Sequence, residues 1–132
     1  MLGLDAGGSC GGGVSSYVAS IGGHLVLLDA WESVGVQEGT TPISREDLAA
    51  LQAEAIFIGN GHLDHAADTG TVAGRTGAAV IAGQSVCDLA RERSFSSGGA
   101  IDFPCLVLGS EGIPAPGTGQ SILSSEIAVR SR

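Results

Sequence analysis

The sequence predicts a mixed α/β (α+β) fold, and three observations carry that prediction. Two short, wholly apolar runs, Ala55-Ile-Phe-Ile-Gly59 and Ala78-Ala-Val-Ile-Ala82, have the length and composition of buried strands. Each precedes a stretch of helical composition, so strands alternate with helices. Upstream, two β-like runs, Val14 to Ser20 and Leu25 to Asp29, are separated by Gly22-Gly23, which reads as a hairpin.

Taken in order, residues 1–13 are Gly-rich and read as irregular and flexible, and the hairpin follows. Glu32 to Pro42 is acidic and contains glycine, the composition of a loop. Ser44-Arg-Glu-Asp47 has the form of a capped helix start, with Ser44 as N-cap and Asp47 three residues on. That helix runs through Leu48 and Leu51. After the strand Ala55–Gly59, Asn60 to His65 is a polar turn and Ala66 to Arg75 a helix ended by Gly77. Ala78–Ala82 is the next strand. Ser85 is placed to cap a third helix, Val86 to Arg93, whose arginines suit the negative end of its dipole. Cys105 to Leu108 is a further strand, Gly109 to Gly119 a loop and Ile127 to Val129 a last strand. The reading is one domain over residues 1–132, with no internal repeat.

Composition excludes several functions. The net charge is -8, with 6 basic against 14 acidic residues, which opposes binding to nucleic acid or an anionic membrane. It suits a protein that binds cations. All the basic residues are arginines, so a Schiff-base lysine and a Walker-type phosphate lysine are both impossible. The start has no basic n-region followed by an apolar run, and the longest aliphatic stretches are strand-sized, so neither a signal peptide nor a membrane span is expected. Cys10, Cys87 and Cys105 are odd in number and widely spaced, which reads as free thiols in a reducing, cytoplasmic setting.

Two of the three histidines lie within four residues, in His62-Leu-Asp64-His65, between a buried strand and the following helix. Open α/β sheets place their sites at such strand ends. Imidazole and carboxylate are good ligands for zinc and similar divalent ions. His62 and His65 can aim inward together around a tight turn, Asp64 adds a negative oxygen, and Gly59 and Gly61 ease the bend. The same residues also suit a polar loop that caps a helix, with Asp64 or Asp68 accepting backbone N–H bonds and the histidines solvated.

The wider string, Leu25-Val-Leu-Leu-Asp29, then Ala55-Ile-Phe-Ile-Gly-Asn-Gly-His-Leu-Asp-His-Ala-Ala-Asp68, then Arg75-Thr-Gly-Ala-Ala-Val-Ile-Ala82, resembles the metallo-β-lactamase-fold hydrolases. The similarity runs from about Gly23 to about Cys105. The family motif, His-x-His-x-Asp-His, follows a buried strand and opens a helix, and here Asn60-x-His62-x-Asp64-His65 stands in its place. The resemblance implies an αββα sandwich of two mixed sheets between helices. It also implies one or two metal ions, usually zinc, that activate water for hydrolysis. By that resemblance His62, Asp64 and His65 are metal ligands, Asn60 is a weak one, and Asp64 also helps to orient the hydroxide.

Two departures qualify what is expected. In the family the leading histidine shares one metal site with the residue matching His62, while those matching Asp64 and His65 serve the other. Asn60 supplies a neutral amide oxygen in place of imidazole, which weakens the first site. The family also draws a histidine, a bridging aspartate and a last histidine from downstream, and no histidine follows His65 here. The chain therefore reads as the N-terminal half of such a domain. The expectation is a metal-dependent hydrolase of an unknown small-molecule substrate, truncated or impaired. The alternative is a non-catalytic divalent-metal-binding or interaction half-domain. Half a sandwich leaves sheet edges and an apolar face open, so self-association as a homodimer, or pairing with a complementing chain, is expected.

Other features have plainer readings. Gly7 to Gly13 lacks the lysine and preceding strand of a phosphate loop, and Cys10 within it has no base placed beside it. His24 reads as a solvated turn residue, Asp29 as a strand-end cap with a lesser chance of supporting a metal ligand, and Trp31 as core packing or the wall of a pocket.

Overall fold

The computed structural model describes residues 2–6, 14–31, 43–99 and 102–108. Six strands lie in one sheet in sequence order: β1 (Leu2–Ala6), β2 (Val14–Ile21), β3 (His24–Leu28), β4 (Ala55–Phe57), β5 (Ala79–Ala82) and β6 (Cys105–Val107). The first three pair antiparallel and β3 to β6 pair parallel, so the sheet is mixed, as expected. Four helices interrupt the parallel half: α1 (Arg45–Ala50), α2 (Leu63–Ala66), α3 (Thr69–Thr76) and α4 (Gln84–Ser96).

The hairpin forms where the two glycines predict it. Gly22 and Gly23 take φ of 59° and 90°, open to glycine without a Cβ penalty, and Ile21 pairs with His24 across the turn. One expectation is corrected nearby. Leu2–Ala6 is not irregular but a strand, paired antiparallel with β2, with Leu2 opposite Val18 and Leu4 opposite Ser16. Residues 7–13 lie outside the described residues, as do the expected loops at 32–42 and 109–119 and the strand at 127–129.

Ser44 caps α1 as its spacing predicts. The Ser44 hydroxyl accepts the Asp47 N–H at 3.1 Å, and the Asp47 carboxylate accepts the Ser44 N–H at 2.9 Å. The Ser44 backbone N–H, and then its hydroxyl, which also donates to the Asp47 carboxylate at 2.8 Å, hold the Asp47 carboxyl below its ordinary range. A depressed folded-state value means that the carboxylate's contribution to stability is complete above the ordinary range and lost as pH falls through the lowered one. Ser44→Ala should lower stability by about 1 kcal/mol, read from the urea midpoint. That cost should shrink on acidification, when the box has already lost one of its two bonds. A variant cost that does not change with pH would show that the box does not form.

The polar segment after β4 departs from the expected single helix. It makes one turn of helix, α2, and restarts as α3 at Thr69, closed by Gly77 at φ 75°. Helix α4 is longer than the expected Val86 to Arg93. It starts at Gln84 with Gly83 as N-cap and no side-chain bond, which places Ser85 inside the first turn and not at the cap.

The sheet has two apolar faces, separated by strand alternation. On the first, Leu27, Ile56, Val80 and Ala82 meet Leu48 of α1, Ala66 of α2, Val72 and Ala73 of α3, and Val86 and Ala90 of α4. On the second, Val26, Ala55, Ala79 and Ile81 cluster with Ala19, Phe57, Leu106 and Leu108. Among the described residues every helix contributes to the first cluster and none to the second. The mixed sheet with its flanking helices is of the expected α+β class, and no second sheet occurs among the described residues.

The free-thiol expectation fails for two of the three cysteines. Cys87 in α4 and Cys105 at the start of β6 form a disulfide, with their Cα atoms 5.8 Å apart. Wide spacing in sequence hid the pairing, because the β5–α4–β6 crossover folds the first turn of α4 back against β6. Closing a loop of this length restricts the unfolded chain and stabilises the fold by about 3 kcal/mol. Cys10 lies outside the described residues. No helix among the described residues is long and apolar enough to cross a membrane.

Candidate functional site

The predicted cluster sits at the carboxyl end of β4, beside the end of β3, and one side chain organises it. Asp29 directly follows β3 with φ 60°, a left-handed conformation that aspartate tolerates better than most residues. Its backbone N–H donates to the Phe57 carbonyl at 2.8 Å, which ties it to the end of β4. One carboxylate oxygen accepts the Gly59 N–H at 2.9 Å, and the other meets His65 Nδ1 at 2.7 Å. Next along the chain, the Ala30 N–H donates to the His65 carbonyl at 2.8 Å. The turn carrying His65 is thus bonded at both side chain and backbone to the β3 end.

This arrangement sets what His65 can do. Facing an ionised carboxylate, which only accepts, Nδ1 is the nitrogen that carries a hydrogen, and whenever the ring is uncharged the lone pair is on Nε2. A histidine held this way by a carboxylate is oriented for metal ligation or proton transfer through Nε2. His65 is partly buried, its side chain 24% exposed against 18% for Asp29, so the pair is shielded without being sealed from solvent.

The other predicted residues are arranged differently. Asn60 is exposed, and its side-chain oxygen accepts the backbone N–H of His62 at 2.8 Å. His62 is exposed and its carbonyl accepts from the N–H groups of His65 and Ala66, which starts α2. Asp64 lies within α2, and its side chain falls outside the described residues. Neither Gly59 nor Gly61 takes a left-handed conformation. Gly59 serves through its N–H, and a Cβ on Gly61 would sit 3.1 Å from the Val86 side chain. The position that does need unusual backbone is Asp29.

The fit to a metal is incomplete. Among the described residues no three His, Cys, Asp or Glu side chains stand together as a metal-holding group. Catalytic zinc takes three protein ligands and structural zinc four. His65 is held as one donor, while the Asn60 side-chain oxygen already accepts the His62 N–H.

The remaining sequence candidates have structural partners. His24 is exposed at the start of β3 and pairs through Nδ1 with Glu54 at 2.8 Å, so it is not merely solvated. Asp68, a candidate helix cap, makes no side-chain cap bond to α3; it is buried and lies 3.6 Å from Arg45. Asp29, read from sequence chiefly as a cap, is the residue whose role was understated. Its signal was an aspartate ending an apolar strand run, a pattern too common to show which histidine it would meet.

Compared with known proteins, the chain matches no protein-family profile and no curated sequence.

Proposed function

We propose that this chain is a metallo-β-lactamase-like half-domain that presents His65 as a prepared donor toward a divalent ion, with the rest of the ligand set supplied by a complementing chain or a second copy. The observation that carries this reading is the Asp29–His65 contact, which leaves Nε2 as the available ring nitrogen. The sequence holds no histidine after His65 to match the downstream ligands that the resemblance calls for, which is the reason for completion from outside. Zinc is the ion that best suits histidine and carboxylate donors, and hydrolysis of a small-molecule substrate is the activity of the completed site.

The proposal is tested by competing the purified chain against a zinc-chelating dye over a range of protein concentrations. Binding that strengthens as the chain self-associates, and weakens with His65→Ala, supports it. Zinc binding unaffected by His65→Ala would sink the role of His65, and a chain that binds no zinc at any oligomeric state would sink the metal reading. In the second case partner capture becomes the function to pursue. The compartment turns on the disulfide. A cytoplasmic setting, as first read from the cysteines, would keep Cys87 and Cys105 reduced, whereas the oxidised pair belongs to an oxidising compartment.

A further inference from the structure

A second feature lies apart from the histidine turn and does not depend on the metal reading. An open cleft of about 490 Å³ is formed where the start of α1, the start of α3 and the end of α4 meet, and none of Asp29, Asn60, His62 or His65 lines it. Its size falls within the range of small-molecule sites. Arg93 of α4, Arg45 of α1, Asp68, Thr71, Ser97 and Trp31 are among the residues around it.

The arginines of this region differ in their partners. Arg75 pairs with Glu46 at 2.8 Å, Arg91 lies 3.7 Å from Asp88, and Arg45 lies 3.6 Å from Asp68. Arg93 is the exception among the described arginines. Its side chain donates from one Nη to the neutral carbonyl of Ala67 at 2.9 Å, and among the described residues no carboxylate lies within ion-pair distance of it. Among the described lining residues two arginines, Arg45 and Arg93, stand with one carboxylate, Asp68, in a protein whose net charge is -8. The tether to Ala67 holds the guanidinium at the cleft and leaves the other N–H groups of its planar fork for a ligand.

The polar wall beside it is adaptable. Thr71 Oγ1 lies 3.3 Å from Ser97 Oγ, which donates to the Ser94 carbonyl at 3.1 Å. Hydroxyls can rotate from such partners toward an incoming oxygen. Trp31 adds a flat apolar surface, the kind of wall that takes the body of an organic anion.

We infer that this cleft binds a small oxyanion, a phosphoryl or carboxylate group, on the free side of the Arg93 guanidinium, with the remainder of the ligand against Trp31. Two parallel N–H···O bonds from arginine to an oxyanion are among the stronger polar contacts available to a protein.

Trp31 is the only tryptophan in the chain, so its fluorescence reads the cleft directly. The full chain is titrated with inorganic phosphate and, separately, with benzoate, at constant ionic strength held with sodium chloride. A saturable change in emission with either probe is expected. A response to phosphate alone assigns a phosphoryl ligand, to benzoate alone a carboxylate, and to both a general oxyanion site. Arg93→Gln should weaken binding about tenfold or more, while Arg91→Gln, which alters an arginine outside the cleft, should leave it unchanged. Should Arg93→Gln fail to fold, Arg93→Lys keeps the charge but not the fork and should also weaken binding. No saturable response to either probe would overturn the inference, as would equal affinity in wild type and a folded Arg93 variant.

Discussion

Gly70→Ala is expected to destabilise the protein by about 2 kcal/mol or more, although alanine is the better helix former. In an exposed helix the exchange would be favourable by about 1 kcal/mol. At this position α3 packs against α4 backbone to backbone. A Cβ on Gly70 would collide with the carbonyl oxygen of Ala90 and lie 2.9 Å from its carbonyl carbon. That neighbour is main chain inside a helix, so no rotamer change relieves the collision and the helices must move apart. Overpacking of this kind costs about 1–3 kcal/mol and more when backbone must shift. The collision therefore outweighs the propensity gain. Gly74→Ala should cost less, because its closest obstacle is the Ser94 hydroxyl, which can rotate, although Gly99 Cα at 3.3 Å limits the room. Urea unfolding of both variants reads the difference. A neutral or stabilising Gly70→Ala would mean that the two helices do not approach so closely.

The second large effect is expected at Asp29. Asp29→Ala removes the acceptor of the Gly59 N–H and of His65 Nδ1–H, and it puts alanine at φ 60°. Hydrogen bonds to a charged group contribute about 1.5–3 kcal/mol, and the left-handed conformation adds to the cost, so a loss of about 3 kcal/mol is expected. Asp29→Asn is the more informative variant. Asparagine tolerates the same backbone but has one accepting oxygen and a donating amide. If the oxygen stays with Gly59, the amide faces His65 Nδ1, which must then accept, and the ring proton moves to Nε2. Imidazole ¹⁵N chemical shifts of His65 report that change of tautomer. A ring with its hydrogen on Nδ1 in both proteins would show that Asp29 does not set the tautomer of His65, and any zinc affinity should then survive the substitution.

Much of the fold was legible because its signals are local. The apolar runs at Ala55 and Ala78, the Gly22-Gly23 turn, the Ser44–Asp47 capping box and the stop at Gly77 each depend on a few neighbouring residues. The misreadings have a common cause. Leu2–Ala6 was obscured by the glycines that follow it, and becomes a strand only through pairing with β2. The start of α4 at Gln84 carries no side-chain cap, so no local residue announced it, and the break between α2 and α3 left no Gly or Pro to mark it. The Cys87–Cys105 bond joins residues 18 apart, and neither their spacing nor their count announced it.

The candidate site divides in the same way. Sequence alone located the histidine turn at a strand end, named His62, Asp64 and His65, and excluded lysine chemistry. Tertiary structure decided which of the described residues are equipped to act. Only the parallel pairing of β3 with β4 brings Asp29 to Gly59 and His65, residues 30 and 36 positions away, and turns one histidine of the cluster into an oriented donor. Only the packing of α1, α3 and α4 on one sheet face brings Arg93, Arg45 and Trp31 around a common cleft. The physical reason is range. Turn chemistry, capping and strand composition act over a few residues and are written locally, whereas the pairing of charges and the orientation of a ring depend on contacts between distant segments, which exist only once the apolar faces have packed.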